Sequence, residues 1–275
     1  MSTIQETQKP ARSVEAEIDR FRYGFRNVQV TRPDGSIDFD QIPLTLEDAL
    51  HPEEGDRPVS SRAHALDCNY LHDVVSERLA GDRTAAVLSD TDIYWEKPEW
   101  KNHRPDIAVI LGVRRQKDWP SFYVAEEGTR PALIIEVVSL STRVNDVETK
   151  VEQYAQVGVP HYVIADARES DGRRHLSLID YRLGPDGLYE PRPLDGQGRV
   201  RLEELGGLSL GIVDNPELGG DRLALFDAAT GKEIGDYTQL SQALAAKEAA
   251  LAAAEARVRD LEVELQRLRG NGPAT

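Results

Sequence analysis

The sequence predicts an α/β protein, with a mixed central sheet flanked by helices, a β-rich extension and a C-terminal coiled-coil helix. Three observations predict this class. Residues 132–166 hold two short apolar runs on either side of a helical segment, the pattern of a strand, a crossover helix and a parallel strand. Short strand-like runs separated by turn residues follow. From residue 240 to 268, apolar residues recur with a heptad period.

The first of these strands carries one acid, Glu136, within the run ALIIEVV from Ala132 to Val138. Side chains alternate along a strand, so Ile134, Glu136 and Val138 share one face. A buried carboxylate is costly unless it is paired with a cation, hydrogen-bonded or bound to a metal. Glu136 therefore needs a partner, and a buried ion pair without catalysis is one possible answer.

The segment after this strand offers such a partner. Its composition predicts a helix from about Arg143 to Gln156, ended by Gly158 and Pro160. Asp146, Lys150 and Tyr154 are four residues apart and line one face of it. A helix that packs back on the sheet can bring the ammonium of Lys150 near Glu136. The candidate N-cap residues are Ser139, Ser141 and Thr142.

The N-terminal part predicts a mobile segment over residues 1–22 and then an amphipathic helix from Ser60 or Ser61 to Ala80. Its predicted inward residues are Leu71, Val74, Val75 and Leu79. His64 and His72 lie two turns apart on this helix. Two histidines at this spacing without a further ligand predict surface or capping residues rather than a metal site.

Asp106 directly precedes the apolar run IAVILGV, so it lies where a buried strand begins. Because Pro-Asp is also ordinary turn chemistry, the acid alone indicates no site. Upstream, the residues from Thr84 to Glu96 predict one strand that carries Asp90 and Asp92. Downstream, Phe122 to Ala125 predicts another short strand.

Composition limits the function classes. The chain has 275 residues and a formal net charge of −15, which argues against a basic protein that coats nucleic acid but does not exclude a nuclease with local basic residues. One cysteine, Cys68, excludes an internal disulfide framework and fits a reducing compartment. With no apolar stretch long enough for a bilayer and no signal-peptide pattern, we expect a soluble cytoplasmic protein.

The tail has a different composition from the rest. Its apolar residues form a seam, with spacings that alternate between four and three residues. Lys247 places a charge in this seam, and Ala254 contributes only a small side chain. This spacing predicts a coiled coil that dimerises or docks a partner, and the alternative is a single solvated helix. The seam consists of Leu240, Leu244, Lys247, Leu251, Ala254, Val258, Leu261, Leu265 and Leu268.

The segments RPDIAV and LIIEVVSLSTRVNDVETKVEQYAQVGVPHYVIAD resemble the Uma-two family of restriction-endonuclease-like proteins, within the PD-(D/E)xK nuclease superfamily. The resemblance covers roughly residues 23–215. It implies that Asp106 and Glu136 are metal-binding acids. Val138 stands where the superfamily usually has a lysine, and Lys150 on the following helix resembles the migrated lysine of variants. The predicted domains are 1–22, the nuclease domain 23–215, a β-rich closing segment 216–236 and the coiled coil 237–270.

The resemblance implies an endonuclease that hydrolyses phosphodiester bonds in DNA with Mg²⁺ or Mn²⁺. Residue chemistry agrees, because two carboxylates and the backbone carbonyl of Val138 can hold Mg²⁺ and leave water sites open. Lys150 would orient the water or neutralise the phosphate, supported by Asp146, Tyr154 and His64. The competing prediction is an inactive nuclease fold that works as a scaffold through its coiled coil, as a homodimer or with another partner through residues 240–268.

Overall fold

The structure, a computed structural model, describes residues 20–53, 55–58, 61–97, 99–138 and 143–270. The chain divides into two units, Met1–Lys232 and Glu233–Thr275. The first contains the sheets, and the second contains a single long helix. Most of the predicted N-terminal segment, residues 1–19, lies outside the described residues, as do Ser139, Ser141 and Thr142. No helix in the described part of the chain has the length and apolar character needed to cross a membrane.

The strands formed by the described residues of the first unit make up three sheets, and helices occur between groups of these strands along the chain. The strands are β1 (Gly24–Thr31), β2 (Ile37–Pro43), β3 (Asp56–Pro58), β4 (Ala85–Leu88), β5 (Asp92–Tyr94), β6 (Ile107–Leu111), β7 (Ser121–Tyr123), β8 (Pro131–Val138), β9 (His161–Ser170), β10 (Arg173–Leu183), β11 (Tyr189–Arg192), β12 (Val200–Leu202), β13 (Leu208–Asn215) and β14 (Gly220–Asp227). The α-helices are α1 (Leu46–Leu50), α2 (Arg62–Leu79), α3 (Val124–Glu127), α4 (Arg143–Gln156) and α5 (Tyr237–Gly270), with 3-10 turns at Glu203–Leu205 and Pro216–Leu218.

The main sheet has nine strands and is mixed, as predicted. Its order is β12-β13-β14-β10-β9-β8-β6-β4, and β11 pairs with β10. The first hairpin and β3 form a separate sheet in the order β2-β1-β3, and β5 pairs with β7. The α/β class and the mixed sheet flanked by helices are therefore confirmed, whereas the coiled-coil pairing of α5 stays a prediction.

The centre of the sheet has the predicted strand, helix and strand. β8 runs parallel to β9, with Glu136 opposite Ile164, and α4 makes the crossover between them. β6 runs antiparallel to β8 on the other side, with Ile107 opposite Ile135. Because parallel neighbours need a long connection, the helix between two apolar runs determines this topology.

Helix α2 fixes the β-rich extension to the rest of the unit. Ser61 caps its N-terminus by accepting a hydrogen bond from the His64 amide at 3.1 Å. Asp67 and the Tyr70 hydroxyl accept hydrogen bonds from the backbone amides of Leu223 and Leu225 in β14, at 2.9 and 2.8 Å. Polar groups of α2 therefore bind the edge of β14 directly.

Two predicted elements differ from the structure. The single strand expected from Thr84 to Glu96 is broken between β4 and β5, which join different sheets. The break contains Asp90 with φ 49°, a left-handed conformation that aspartate tolerates better than most residues. Likewise, the strand expected from Phe122 to Ala125 ends at Tyr123, where the one-turn helix α3 begins. On α2, Leu71 and Val75 are buried as predicted, but Val74 and Leu79 are partly exposed.

Candidate active site

Glu136 is buried in β8, where only 4% of its surface is exposed, and two side chains of α4 reach it. Lys150 Nζ and the Tyr154 hydroxyl both donate hydrogen bonds to Glu136 Oε1, at 3.1 and 2.9 Å. Lys150 and Tyr154 are one helical turn apart and both are buried, at 8% and 0% exposed. The strand and its crossover helix thus place the predicted lysine on the predicted acid.

Asp106 lies at the start of β6, on the strand next to Glu136. The antiparallel register pairs Ile107 with Ile135, so its continuation brings Asp106 opposite Glu136. Asp106 Oδ2 accepts a hydrogen bond from the Val137 amide at 2.7 Å, and the residue is 9% exposed. Two carboxylates 30 residues apart in sequence therefore meet at one end of neighbouring strands.

His64 approaches the same acid from α2, with Nε2 at 3.1 Å from Asp106 Oδ1. Burial lowers the pKa of His64, and the nearby Arg174 lowers it further against the opposite effect of Asp67 and Glu136. The ring is therefore neutral near pH 7, and Nδ1 is buried without a hydrogen-bond partner among the described residues. His72 is partly exposed beside Asp73, as predicted for a surface histidine, whereas that prediction was wrong for His64, whose side chain is only 19% exposed.

Cys68 completes a second grouping at this site. One potential ligand atom each from His64, Cys68 and Asp106 lie within 4.8 Å of one another. Burial raises the pKa of the Cys68 thiol, and the charge of Asp106 raises it further, so the thiol stays protonated. A neutral thiol does not suit Mg²⁺, which takes oxygen ligands. Among these residues the oxygen donors of Asp106 and Glu136 fit a hard divalent ion.

For the remaining predicted site residues, the structure describes the backbone of Val138 and Asp146 but not every side chain. Val138 is the last residue of β8 and pairs with Asp166 of β9, so its carbonyl lies at the same strand end as Glu136. The backbone of Asp146 belongs to α4, but its side chain lies outside the described part of the structure. The residues 139–142 that follow Val138 are also outside it.

A buried histidine that the sequence analysis missed supports α4. His103 Nδ1 accepts a hydrogen bond from the Trp95 indole at 2.8 Å, and its Nε2 lies 2.8 Å from Gln153 Oε1. Its ring packs on the Tyr154 ring, with centroids 4.8 Å apart. Burial lowers the pKa of His103 to about 3, so the neutral ring donates from Nε2 to Gln153. A single histidine in a loop carries no sequence signal for this role.

Comparison with known proteins gives a family and one solved structure with limited similarity. Residues 55–212 match the model of the Uma2 family, described as "Putative restriction endonuclease". A solved structure described as "a putative nuclease belonging to DUF820", from Anabaena variabilis ATCC 29413, is 18% identical. The match covers 59% of this chain and 91% of that one, with a TM-score of 0.42. No curated protein matches the chain. The family match extends over more than half of the sequence and includes Asp106, Glu136 and Lys150, and the chain therefore belongs to the Uma2 family of restriction-endonuclease-like nucleases.

Proposed function

We propose that the protein is an endonuclease that uses Mg²⁺, or Mn²⁺, to hydrolyse phosphodiester bonds in DNA. The observation that carries the proposal is the buried set of Asp106, Glu136 and Lys150, which three different elements bring to one strand end. Buried charges are costly, and charged groups gathered at the end of a sheet strand are typical of functional sites. In this proposal residues 23–215 form the nuclease domain.

The donor set suits a hard divalent ion. Asp106 and Glu136 would hold it with their carboxylates, and the carbonyl of Val138 would supply a third oxygen. When bound, such an ion polarises the phosphodiester and lowers the pKa of a bound water.

The side chains around the two acids have separate proposed roles. Lys150 would orient the attacking water or neutralise the phosphate, which its ammonium can do from its place beside Glu136. Tyr154 holds the Glu136 carboxylate in one orientation, and His64 does the same for Asp106. These two are positioning residues, as Asp146 would be for Lys150.

Cleavage of supercoiled plasmid and of single-stranded DNA tests the proposal. We expect the purified protein to cut with Mg²⁺ or Mn²⁺ and to stop cutting with EDTA. Glu136→Gln and Lys150→Met should each reduce the rate by at least about a hundredfold, because each removes charge from the reacting centre. Glu152→Gln is the matched control, since Glu152 is exposed on the same helix and should cut like the wild type.

Circular dichroism and thermal melting show whether each variant is folded. If folded wild-type protein cuts no DNA substrate with either ion, or if folded Glu136→Gln cuts as fast as the wild type, the proposal is wrong.

A second candidate function is a scaffold that acts through α5. The observation that favours it is the exposed apolar seam of that helix, together with a net charge of −15 that opposes DNA binding. In either function we propose that residues 240–268 associate with another helix through this seam. Removal of residues 240–275 separates the two functions, because a scaffold would lose its partner whereas a nuclease domain would keep its catalytic residues.

A further inference from the structure

Helix α5 is 34 residues long and exposes to solvent a mainly apolar seam that Lys247 interrupts. The described large side chains of the seam are 48–61% exposed: Leu240, Leu244, Leu251, Val258, Leu261 and Leu265. Such a seam, repeated with a heptad period, is the surface that a second helix of the same kind covers in a coiled coil.

The heptad register follows from the seam. Positions a are occupied by Leu244, Leu251, Val258 and Leu265, and positions d by Leu240, Lys247, Ala254 and Leu261. The flanking e positions are Glu248, Glu255 and Glu262 over the central heptads. The flanking g positions are Ala243, Ala250, Arg257 and Glu264. All of the e and g residues named here are exposed.

We propose that α5 binds a second copy of this chain as a parallel, in-register two-stranded coiled coil. The inference rests on the proposed association of residues 240–268 and adds its occupant, orientation and register. The same register applies whether or not the chain cuts DNA.

The flanking charges decide the orientation. In a parallel pair each g residue faces the e residue five positions later in the other helix, so Arg257 meets Glu262 of the second copy, twice by symmetry. Ala243 and Ala250 at the earlier g positions give Glu248 and Glu255 no like-charged neighbour there. An antiparallel pair instead sets e against e, which would bring the three glutamates against one another.

The seam itself favours two strands. In one of the four heptads, Val258 at a is followed by Leu261 at d, which is the β-branched and leucine combination of parallel dimers. Lys247 at d can reach the neighbouring Glu248 of the second copy in a dimer, but a larger bundle would bury its ammonium. A parallel pair also tethers two copies of the nuclease unit at the N-terminal ends of the helices, which suits cutting of both strands of a duplex.

Disulfide cross-linking of the full chain tests the orientation. In the parallel register residue 261 faces residue 261, so Leu261→Cys should form a covalent dimer on mild oxidation. Val263→Cys is the matched control, because its f position points away from the seam. The native Cys68 is buried and should not cross-link the wild type. In an antiparallel pair residue 261 faces the region of residue 251, and Leu261→Cys would not cross-link to itself.

Light scattering tests whether the helix that binds α5 belongs to a second copy of this chain. Exchange of the charges at residues 257 and 262 tests the register of the two helices. The wild-type protein should have twice the 30.6 kDa mass of one chain. Arg257→Glu should raise the dissociation constant of the dimer by about fivefold to tenfold, and adding Glu262→Arg should restore it. A monomer at micromolar concentration, a dimer indifferent to these changes, or a folded Leu261→Cys that does not cross-link would each overturn the proposal. None of these readouts depends on DNA cleavage.

Discussion

At the scale of single residues, the Glu136 carboxylate is shared between an ammonium, a phenol and the proposed ion. Lys150 and Tyr154 both donate to Oε1. A buried carboxylate needs compensating positive charge, and without an ion Lys150 supplies it. A divalent ion that binds Glu136 would be repelled by the ammonium of Lys150. Ion binding and the stability of the buried pair are therefore linked.

This linkage predicts the behaviour of Lys150→Met. Without the ammonium, Glu136 loses its cation in a buried site, and the variant should be less stable than the wild type by about 2–4 kcal/mol without divalent ions. Saturating Mg²⁺ should raise its melting temperature more than it raises that of the wild type, because the repulsion between ammonium and ion is gone. Differential scanning calorimetry with Mg²⁺ and with EDTA measures both the stability of the variant without ions and the rise in its melting temperature with Mg²⁺. An equal or smaller rise in the variant would contradict the linkage.

Tyr154→Phe removes one hydrogen bond to Glu136 and leaves the ring packing on His103 unchanged. We expect a loss of about 1–2 kcal/mol in unfolding free energy from urea titration. If Tyr154 positions the carboxylate, the variant should also need more Mg²⁺ for half-maximal stabilisation. Unchanged Mg²⁺ dependence would restrict Tyr154 to a structural role.

His161 gives a pH-dependent prediction away from the site. It is 0% exposed, between Glu204 Oε2 at 2.9 Å and Asp180 Oδ1 at 3.0 Å. Burial alone would lower the pKa of His161, but the two carboxylates outweigh it and raise the pKa above its ordinary value. A raised pKa means that the folded state binds this proton more tightly than the unfolded state. The resulting stability is present below the unfolded pKa and is lost as pH rises through the folded one.

His161→Gln should therefore be more destabilising, relative to the wild type, at about pH 6 than at about pH 9, because the stabilisation by the charged ring is lost as the pH rises through the raised pKa of His161. Urea unfolding at the two pH values measures the difference. A destabilisation that is equal at both pH values would contradict the raised pKa of His161, and one that is greater at high pH would show that the fold stabilises the neutral ring.

At the scale of elements, the sequence predicts those whose determinants are local. The run from Ala132 to Val138, the helix of α4 and the apolar run of β9 lie within about 35 residues, and their order imposes the parallel crossover. That unit brings Lys150 and Tyr154 to Glu136, so half of the candidate site is predictable from spacing alone. The break at Asp90 was missed because only the pairing of β4 and β5 with different sheets reveals it.

The spacing of residues in the sequence does not predict contacts between elements that are distant along the chain. Asp67 accepts from the Leu223 amide, 156 residues later, and from Arg174 Nη1 at 2.6 Å. His103 likewise finds Gln153, 50 residues away. The role of a polar residue on the inner face of α2 cannot be predicted from the sequence. Its partners are backbone amides of strands that are distant in the chain, and no spacing pattern links these strands to the helix.

Asp67→Ala tests how strongly α2 holds the β-rich extension. The change leaves the buried Leu223 amide without its acceptor and removes the carboxylate partner of Arg174, whose Nη1 still donates to the Asp221 carbonyl at 3.1 Å. We expect a loss of about 2–3 kcal/mol in unfolding free energy, because the buried Leu223 amide carries its full desolvation cost and Arg174 loses a charged acceptor. Asp73→Ala, at an exposed position of the same helix, is the control and should change stability by less than about 0.5 kcal/mol. If Asp67→Ala and Asp73→Ala lowered the unfolding free energy equally, Asp67 would not be the residue that holds α2 to the β-rich extension.

At the scale of the whole molecule, acidity and catalysis place opposite demands on the chain. A net charge of −15 attracts divalent cations but repels a polyanionic substrate. A nuclease of this kind must rely on local basic groups and on the ion to approach the phosphate. The proposed pairing of two chains through α5 would meet a different need, since it would raise the effective concentration of one site beside the other.

Titration of Mg²⁺ into the protein by calorimetry tests the central claim most directly, namely that Asp106 and Glu136 together hold a divalent ion. We expect saturable binding of Mg²⁺ to the wild type, loss of this binding in Asp106→Asn and in Glu136→Gln, and its retention in Glu152→Gln. Folded wild-type protein that binds no ion, or acid variants that bind as tightly as the wild type, would contradict it.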